Sequence, residues 1–491
     1  MDDSIQSMTA RTDPLPSAIE LARRITVGET SALAVVEMSL TRIAALDDAL
    51  CAFCSVTADP ARREAQAVDR RIAAGEAVGP LAGVPFAVKD LISTSGVRTT
   101  FGSPLYADNV PDEDDIVVER LRAAGAIMVG KTNTSEFGYG PIGRNPLFPP
   151  TRNPWNTELT PGGSSAGSSV AVATGMVPLA LGSDGGGSIR IPASLNGIFG
   201  IKPSWGRVPV YPGCRDEKAP GASGWETLEH IGPLTRTVAD AAMALSVLSG
   251  PSPKDRHSLP HEQIDWMDID AASAPGRRIA FSADLGFAHV DPEVAAIAAG
   301  AAQVFATELG CVVHDAFPEV GDTQATFEAL VALDTDRAGL RTMADRQSYA
   351  FGGVLGTLLR TEWTADHFTN AIMDRKRIAN VMWRFMARYD LLLTPTAATA
   401  AFPLDRDGPT SIAGYAVLPS AWTPFSALAN LTGQPAASVP AGFTRDSRPV
   451  GLQIIGRHQD DIGVLRAAAA FERVRPWQHT WPAASHPRKT A

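Results

Sequence analysis

The stretch from residue 161 to residue 203 constrains this sequence more than any other. It holds two loops rich in glycine and serine, PGGSSAGSS and GSDGGGS, on either side of a segment of small apolar residues. Glycine adopts backbone conformations that other residues avoid and lets a ligand approach closely. A serine hydroxyl can act as a nucleophile or carry a proton. Two such loops around a buried helix and strand predict a site of serine chemistry.

The first loop formally contains the G-x-S-x-G pattern of a hydrolase nucleophile elbow, with Ser165 in the nucleophile position. That elbow has to follow a buried strand, whereas residues 153–161, NPWNTELTP, are polar and interrupted by prolines. The context therefore argues against Ser165. The second loop follows an apolar, strand-like run over residues 176–181, so Ser188 is the better-presented hydroxyl.

A nucleophilic serine needs a base, and the sequence favours Lys89. None of the nine histidines lies in a motif typical of catalysis, and the nearest one downstream of the loops is His230. Lys89 ends an apolar run that begins at residue 81, and desolvation there would favour its neutral form. Taken by itself, Lys89 also fits a surface charge at the end of a strand.

Together these features resemble the amidase signature family of serine hydrolases, which use a Ser-Ser-Lys triad. The shared motifs cover most of the chain: GVPFAVKD at 83–90, KTNTSEF at 131–137, TRNPW at 151–155, the 161–203 block, GPLTR at 232–236 and TGQPAASVP at 432–440. Ala166 and Gly185 replace residues that are commoner in the family, but both are small. The resemblance implies a triad of Lys89, Ser164 and Ser188.

The resemblance also implies an α/β fold, with a large twisted mixed β-sheet covered by α-helices on both faces. Length alone favours two or three domains, but the family implies a single domain over residues 1–491. Within it we expect an N-terminal helical cover, a catalytic core, a variable region that shapes the substrate pocket, C-terminal core strands and a tail. These segments span residues 1–75, 76–250, 251–390, 391–480 and 481–491.

Local patterns predict the elements around the site. Apolar spacing and capping residues predict one helix closed by Gly28 and a second that starts after Ser31. A strand should end at Lys89, and residues 138–150 are too rich in glycine and proline for a helix. Further helices are expected at 59–74, 114–124, 292–309 and within 322–386, and further strands at 126–129, 278–281, 311–315, 389–393 and 451–455.

Amide hydrolysis requires a nucleophile, a stabilised oxyanion and a protonated leaving group. Ser188 would attack, while Ser164, reached by resemblance through a cis peptide bond after Gly163, would pass its proton to neutral Lys89 and return one to the leaving nitrogen. The expected oxyanion-hole donors are the backbone N–H groups of Gly185, Gly186, Gly187 and Ser188. Supporting positions are Ser165, Asp184 and Arg190; an ordinary ion pair would equally explain the last two.

The substrate pocket is expected along the 138–150 loop and near residue 225. Its candidate residues are Gly138, Tyr139, Gly140, Ile142 and Trp225. Ordinary packing explains the three larger side chains equally well. Because the loop is apolar, we expect an uncharged aryl or alkyl amide or carbamate, as for an aryl acylamidase or a urethanase. The alternatives are a glutamine amidotransferase-type subunit that acts only with partner proteins and a non-catalytic subunit that kept the fold.

Composition and motifs argue against several other classes of function. The net charge of −10 and the lack of a clustered lysine and arginine stripe argue against a nucleic-acid partner. No HExxH or phosphate-binding motif is present, so we expect no cofactor and no metal. The first residues lack the basic and apolar regions of a signal peptide, and no apolar run is long enough to cross a membrane. We therefore expect a cytoplasmic enzyme, either a monomer or a homodimer.

The chain has four cysteines, Cys51, Cys54, Cys214 and Cys311. Cys51 and Cys54 have the spacing of a metal or redox pair, but no second CxxC and no histidine pair accompanies them. The sequence therefore predicts reduced thiols that contribute to core packing, as in a cytoplasm-like compartment.

Overall fold

The computed structural model describes residues 14–211, 225–270 and 276–485. Cys214 and the outer parts of both termini, residues 1–13 and 486–491, lie outside the described residues. The strands are β1 Phe53–Val56, β2 Pro85–Lys89, β3 Ile127–Thr132, β4 Leu179–Ser183, β5 Phe199–Lys202, β6 Ile231–Thr235, β7 Arg278–Phe281, β8 Val312–Asp315, β9 Leu391–Pro395, β10 Ser411–Ile412, β11 Tyr415–Ala416, β12 Ala436–Phe443 and β13 Pro449–Gly456. All but β10 and β11, which pair with each other, belong to one sheet.

The α-helices surround this sheet. They are α1 Ala18–Thr26, α2 Ala32–Leu50, α3 Ala58–Ala73, α4 Ile116–Ala123, α5 Ala166–Ala173, α6 Arg190–Asn196, α7 Val238–Leu248, α8 Pro292–Thr307, α9 Gln324–Asp334, α10 Arg337–Arg346, α11 Gly353–Arg360, α12 Ala365–Met386, α13 Ala427–Thr432 and α14 Asp461–Val474. Among the described residues, none of these helices is both long and apolar enough to cross a membrane.

The eleven strands of the sheet follow the order β1-β3-β2-β4-β6-β5-β12-β13-β9-β7-β8. β2 runs parallel to both of its neighbours, β3 and β4, whereas β4 and β6 are antiparallel. Parallel neighbours end at the same edge of a sheet. The carboxyl end of β2, at Lys89, therefore lies beside the carboxyl end of β4, at Ser183.

Alternating residues of the strands feed two separate hydrophobic cores. In β9, Leu391 and Leu393 belong to the core that includes α1, α2 and α14, while Leu392 belongs to the core that includes α9 to α13. Successive strand residues point to opposite faces of a sheet, so the two cores cover its two faces. The predicted α/β fold, a mixed sheet with helices on both faces, is confirmed.

Most predicted elements near the site are present within a few residues of their expected ends. Ser31 caps α2 by accepting a hydrogen bond from the Ala34 N–H at 3.0 Å, and Gly28 follows α1 with a φ of 77°. The 138–150 segment is a loop. It follows a short 3-10 helix, Glu136–Gly138. Strands β1, β5, β6 and β12 were not predicted from the sequence.

The cysteine pair differs in detail from its expected place in the core. Cys51 ends α2 in a left-handed conformation, with a φ of 51°, and Cys54 lies in the edge strand β1. Both are only partly buried. Among the described residues, Cys51, Cys54 and Cys311 form no disulfide bond.

Candidate active site

Lys89 lies inside the molecule at the end of β2. All five residues of this strand are buried, and Lys89 is fully enclosed, so its interpretation as a surface charge is wrong. Its Nζ donates to the Ser164 Oγ at 2.7 Å, to the Ser183 Oγ at 3.0 Å and to the Ser183 carbonyl at 3.3 Å. Burial lowers the pKa of Lys89 to about 7, although nearby carboxylates oppose the shift.

The first serine loop leads directly into α5. The Gly163–Ser164 peptide bond is cis, and Ser164 is buried. Gly163 has no room for a side chain, because the backbone of Ile142 lies against it. This close approach fixes the loop between Lys89 and the 138–150 segment.

Ser165 links the two serine loops. Its hydroxyl donates to the Ser183 carbonyl at 3.2 Å and accepts from the Ser183 N–H at 3.3 Å. Its backbone N–H donates to the Ser188 carbonyl at 3.2 Å. A fully buried hydroxyl that is committed to backbone partners positions the loops, in agreement with the sequence-based argument against Ser165 as nucleophile.

The second loop runs from β4 to α6 and carries Ser188, which is only half-buried whereas Ser164 and Ser165 are buried. The structure therefore joins Lys89 to Ser164 by a direct hydrogen bond. Ser188 is linked to the neighbouring Ser165 through its carbonyl, which accepts the Ser165 backbone N–H.

Asp184 and Arg190 form a fully buried, two-point ion pair beneath this loop. The Arg190 Nη2 lies 2.8 Å from Oδ1 of Asp184, and the Arg190 Nε lies 2.9 Å from Oδ2. Burial alone would raise the pKa of Asp184, but the Arg190 guanidinium outweighs it and holds that pKa well below its usual range. Arg190 also donates to Ser426, Asn430 and Gln453, which ties the loop to α13 and β13.

The ion pair corrects one member of the expected oxyanion hole. The Gly187 N–H donates to the Asp184 carboxylate at 2.7 Å, so this donor is already engaged within the loop. The Gly186 carbonyl accepts from the Ser426 hydroxyl at 2.6 Å, so it is held by a residue outside the loop. In the described part of the chain, the N–H groups of Gly185, Gly186 and Ser188 make no hydrogen bond to protein.

Aromatic side chains pack against the glycines of the second loop. A Cβ added to Gly185 would meet the Trp225 ring, and one added to Gly186 would meet Phe327. Trp225 also contacts Tyr139 edge to face at 5.1 Å and donates its indole N–H to the Tyr139 hydroxyl at 3.1 Å. Tyr139 and Trp225 thus pack together and also lie beside the site. Phe327 lies in the 251–390 region that the resemblance assigns to the substrate pocket, but no motif in the sequence singles it out.

The 138–150 loop closes another side of the site. Gly138 has a φ of 79°, and a Cβ there would lie 3.6 Å from the Ser164 Oγ and still closer to Leu91. Gly140 accepts a hydrogen bond from Ser135 and lies near Ile142 and Val354. All of the predicted pocket residues therefore lie in the surroundings of the serine loops.

Glu229 is a carboxylate near Lys89 that was not predicted from the sequence. It comes two residues before Ile231, which is paired with Ser183 across β4 and β6. Its Oε2 is buried and has no hydrogen-bond partner among the described residues. Burial raises the pKa of Glu229, while the nearby Lys89 lowers it. The GPLTR motif three residues later was the only sequence signal.

Two other basic residues near the site, His230 and Lys131, form hydrogen bonds with groups outside the proposed triad. The His230 Nδ1 lies 2.8 Å from the Leu228 carbonyl. The Lys131 Nζ donates to Thr94 and Thr99, each at 3.0 Å, as expected for a structural lysine. Among the described residues, no group of three or more histidine, cysteine, aspartate and glutamate side chains could hold a metal.

The site thus combines a buried lysine, a serine bonded to it and two glycine-rich loops. The sequence model of the amidase family matches residues 34–465. The chain belongs to the amidase signature family. Its match covers the serine loops, Lys89 and the strands that place them.

The similarity to individual amidases extends over nearly the whole chain. The sequence is 38% identical to an acylamidase of Rhodococcus erythropolis, over 96% of this chain and 97% of that one. The fold matches the crystal structure of a bacterial aryl acylamidase with a TM-score of 0.86 at 32% identity, covering 94% of this chain and 97% of that one. The protein is an amide-hydrolysing enzyme.

A second group of relatives has a different description. The chain is 37% identical to a glutamyl-tRNA(Gln) amidotransferase subunit of Moorella thermoacetica, over 95% of this amidase and 98% of that relative. The sequence identities to the acylamidase and to the amidotransferase subunit are nearly equal. Overall similarity therefore does not show which of these two relatives has the same substrate as this chain, and only the residues around the site can distinguish them.

Proposed function

We propose that this amidase cleaves uncharged aryl or alkyl amides or carbamates through an acyl-enzyme on Ser188. Ser164 and Lys89 would form the proton relay. The observation that carries the proposal is the 2.7 Å hydrogen bond between the Lys89 Nζ and the Ser164 Oγ. It lies in an enclosed site where burial favours the neutral amine.

In the first half-reaction, the Ser188 Oγ attacks the substrate carbonyl carbon and loses its proton to Ser164. Ser164 passes its own proton to the neutral Lys89. The free N–H groups of Gly185, Gly186 and Ser188 are the proposed donors to the oxyanion, where one donor typically contributes about 100- to 1000-fold in rate. The carbon–nitrogen bond then breaks as Ser164 delivers a proton to the leaving nitrogen and regains one from Lys89.

In the second half-reaction, water gives up a proton to the same relay and its oxygen attacks the acyl carbon. The ester bond to Ser188 breaks, and Ser188 regains its proton from Ser164. An amide thus yields an acid and an amine, and no group is left on the enzyme. With a carbamate ester, release of the amine in the first half-reaction would leave a carbonate ester on Ser188, which water would convert to an alcohol and carbon dioxide.

The surroundings of the second loop support an apolar, aryl-containing substrate. Trp225 and Phe327 lie against Gly185 and Gly186, and their rings are 6.0 Å apart in an edge-to-face arrangement. Aromatic side chains favour such contacts with an aryl group. The structural neighbour described as an aryl acylamidase points in the same direction.

The amidotransferase-type alternative is kept because of the 37% identity to the Moorella thermoacetica relative. An enzyme of this type would release ammonia from glutamine only when its partner proteins are present. Glutamine carries two charged groups that need charged partners, and the residues around Gly185 and Gly186 are aromatic.

The test compares a p-nitroanilide amide and a p-nitroanilide carbamate of matched alkyl length, with glutamine as a third substrate. The purified chain and Ser188→Ala are assayed in parallel. We expect turnover of an anilide by the wild type and a loss of at least about 1000-fold in Ser188→Ala. Glutaminase activity that depends on added amidotransferase partner proteins would favour the alternative, and an unimpaired Ser188→Ala would exclude Ser188 as nucleophile.

A further inference from the structure

We propose that Glu229 is a positioning residue that acts through Lys89 and sets the pH at which this lysine becomes an effective base. The proposal rests on the proposed function, in which Lys89 accepts the proton. None of the sequence motifs described above assigns a role to Glu229, and the proposed relay does not use it.

The sheet geometry connects the two groups through Ser183. Ser183 is paired with Ile231, the first residue of β6, and two backbone hydrogen bonds between Asp184 and His230 continue this pairing, so Glu229 comes directly before the paired residues. The Ser183 Oγ accepts a hydrogen bond from the Lys89 Nζ at 3.0 Å, which leaves its own proton free to be donated. Burial raises the pKa of Glu229, and both Lys89 and Ser183 lie near enough to lower it. The hydroxyl bonded to the amine therefore also neighbours the carboxylate.

Glu229 is held rigidly in this position. Its backbone N–H donates to the Trp225 carbonyl at 2.7 Å, and the next residue, His230, pairs with Asp184 through two backbone hydrogen bonds. The Glu229 Oε2 is buried without a hydrogen-bond partner, and no arginine or lysine forms a salt bridge with it in the described part of the chain. The amine of Lys89 is thus the cation that this carboxylate can stabilise.

Other charged or titratable groups around the pair are already accounted for. Asp184, the second carboxylate that acts on Lys89, is neutralised by Arg190. The buried His230 is kept neutral, since desolvation lowers its pKa well below the usual range. Among the described residues, Asp115 and Tyr139 are further titratable groups that interact with Glu229. Glu229 is therefore the carboxylate whose removal should alter Lys89 most directly.

The expected effect follows from the sign of the charge. A negative carboxylate stabilises the protonated amine, so it raises the pKa of Lys89 against the effect of burial. Glu229→Gln removes the charge and keeps the size. The amine should then lose its proton at lower pH. Because its pKa is lower, Lys89 should also be a weaker base and accept the proton from Ser164 less readily during turnover.

The experiment measures kcat/KM against pH for an anilide substrate in the wild type and in Glu229→Gln. We expect the acid limb to move about one unit to lower pH and the plateau to fall about tenfold, since one pKa unit corresponds to a factor of ten. Glu229→Asp keeps the charge and should restore the wild-type limb. Glu226→Gln removes a partly exposed carboxylate three residues away and should leave the limb in place.

Three outcomes would overturn the proposal. A plateau that falls while the acid limb stays in place would indicate a merely structural role. A change confined to KM for cationic substrates would make Glu229 a substrate-binding group. A limb that moves in Glu229→Asp as it does in Glu229→Gln would exclude the charge as the cause, and this variant also serves if Glu229→Gln does not fold.

Lys89→Met separates this proposal from the proposed function. If Lys89→Met keeps wild-type activity, the relay itself is wrong and the role of Glu229 falls with it. If Lys89→Met is inactive but the limb of Glu229→Gln does not move, the relay stands and only the inference about Glu229 is lost.

Discussion

At the scale of the residue, the enclosed Lys89 is the feature on which the proposed chemistry depends. A buried ammonium group loses most of its hydration, so burial favours the neutral form unless an anion compensates. Here the compensation is partial, because Asp184 is committed to Arg190 and the Oε2 atom of Glu229 is itself buried. Lys89 is therefore placed to change its protonation state near neutral pH.

The first prediction concerns the pH dependence of the rate. Burial lowers the pKa of Lys89 to about 7, and the relay needs the unprotonated amine. We expect kcat/KM to rise about tenfold per pH unit below pH 7 and to level off above it. A rate that falls steadily between pH 6 and pH 9, while circular dichroism shows a folded protein, would contradict Lys89 as the base.

The second prediction uses the adjacent serines Ser164 and Ser165 as a matched pair. Ser164→Ala removes the hydroxyl bonded to Lys89 and should lower kcat by about 100- to 10,000-fold. Ser165→Ala removes a hydroxyl whose hydrogen bonds, within the described residues, go to the backbone of Ser183. It should lower the free energy of unfolding by about 1–3 kcal/mol and kcat by less than about tenfold.

Steady-state kinetics and urea unfolding of the two variants check this prediction. If Ser165→Ala loses as much activity as Ser164→Ala, then the assignment of the two serines has to be exchanged.

At the scale of the element, the loop between β4 and α6 is shaped by groups outside it. Asp184 engages the N–H groups of Gly187 and Ile189, and Ser426, just before α13, holds the Gly186 carbonyl. Gly187 needs its φ of 120° and has no room for a Cβ next to Ser426. These contacts leave the N–H groups of Gly185, Gly186 and Ser188 as the available donors.

The third prediction tests the support of this loop. Arg190→Met leaves the fully buried Asp184 carboxylate without its cation, and breaking such a pair typically lowers the free energy of unfolding by about 3–5 kcal/mol. The double variant Arg190→Met, Asp184→Asn should recover part of this loss, because it leaves no buried charge. Both effects are measured by urea unfolding.

The control for Arg190 is Arg445→Met. Arg445 forms an ion pair with Glu293, but its side chain is 94% exposed, so the change should stay within about 0.5 kcal/mol. A loss of less than about 1 kcal/mol in Arg190→Met would show that the ion pair does not hold the loop.

At the scale of the whole molecule, the site joins segments that are far apart in the sequence. Lys89 and Ser164 come from the region around β2 to β4, Phe327 comes from α9, and Ser426 lies just before α13. The second hydrophobic core holds α9 and α13 on one face of the sheet. Packing between distant helices therefore decides which side chains border the serine loops.

The fourth prediction concerns Phe327 and the substrate. Phe327→Ala removes a ring that lies against Gly186 and should raise KM for an aryl anilide about 10- to 100-fold. This range corresponds to the loss of about 1.5–3 kcal/mol of apolar contact. KM for a small aliphatic amide should change by less than about threefold. Leu333→Ala, an exposed position on the same helix, is the matched control and should change neither value.

Equal effects of Phe327→Ala on the aryl and the aliphatic substrate would mean that the ring supports the loop and does not contact the substrate.

The sequence by itself determined the family and the fold class, and it predicted the residues of the proposed triad. The reason is that loop serines, strand-end lysines and glycines at crowded positions leave local patterns along the chain. The cysteine pair and the missed strands β1, β5, β6 and β12 show the limit of those patterns. Short strands depend on their neighbours in the sheet more than on their own residues.

Only the tertiary structure decided which groups surround Lys89 and the second loop. Gly187 was expected to donate to the oxyanion, but Asp184 engages its N–H. Glu229 and Phe327 reach the site through strand register and helix packing. Distances between residues far apart in the chain, and the burial that shifts the pKa of Lys89, depend on how the sheet and its two cores assemble. Local sequence does not encode them.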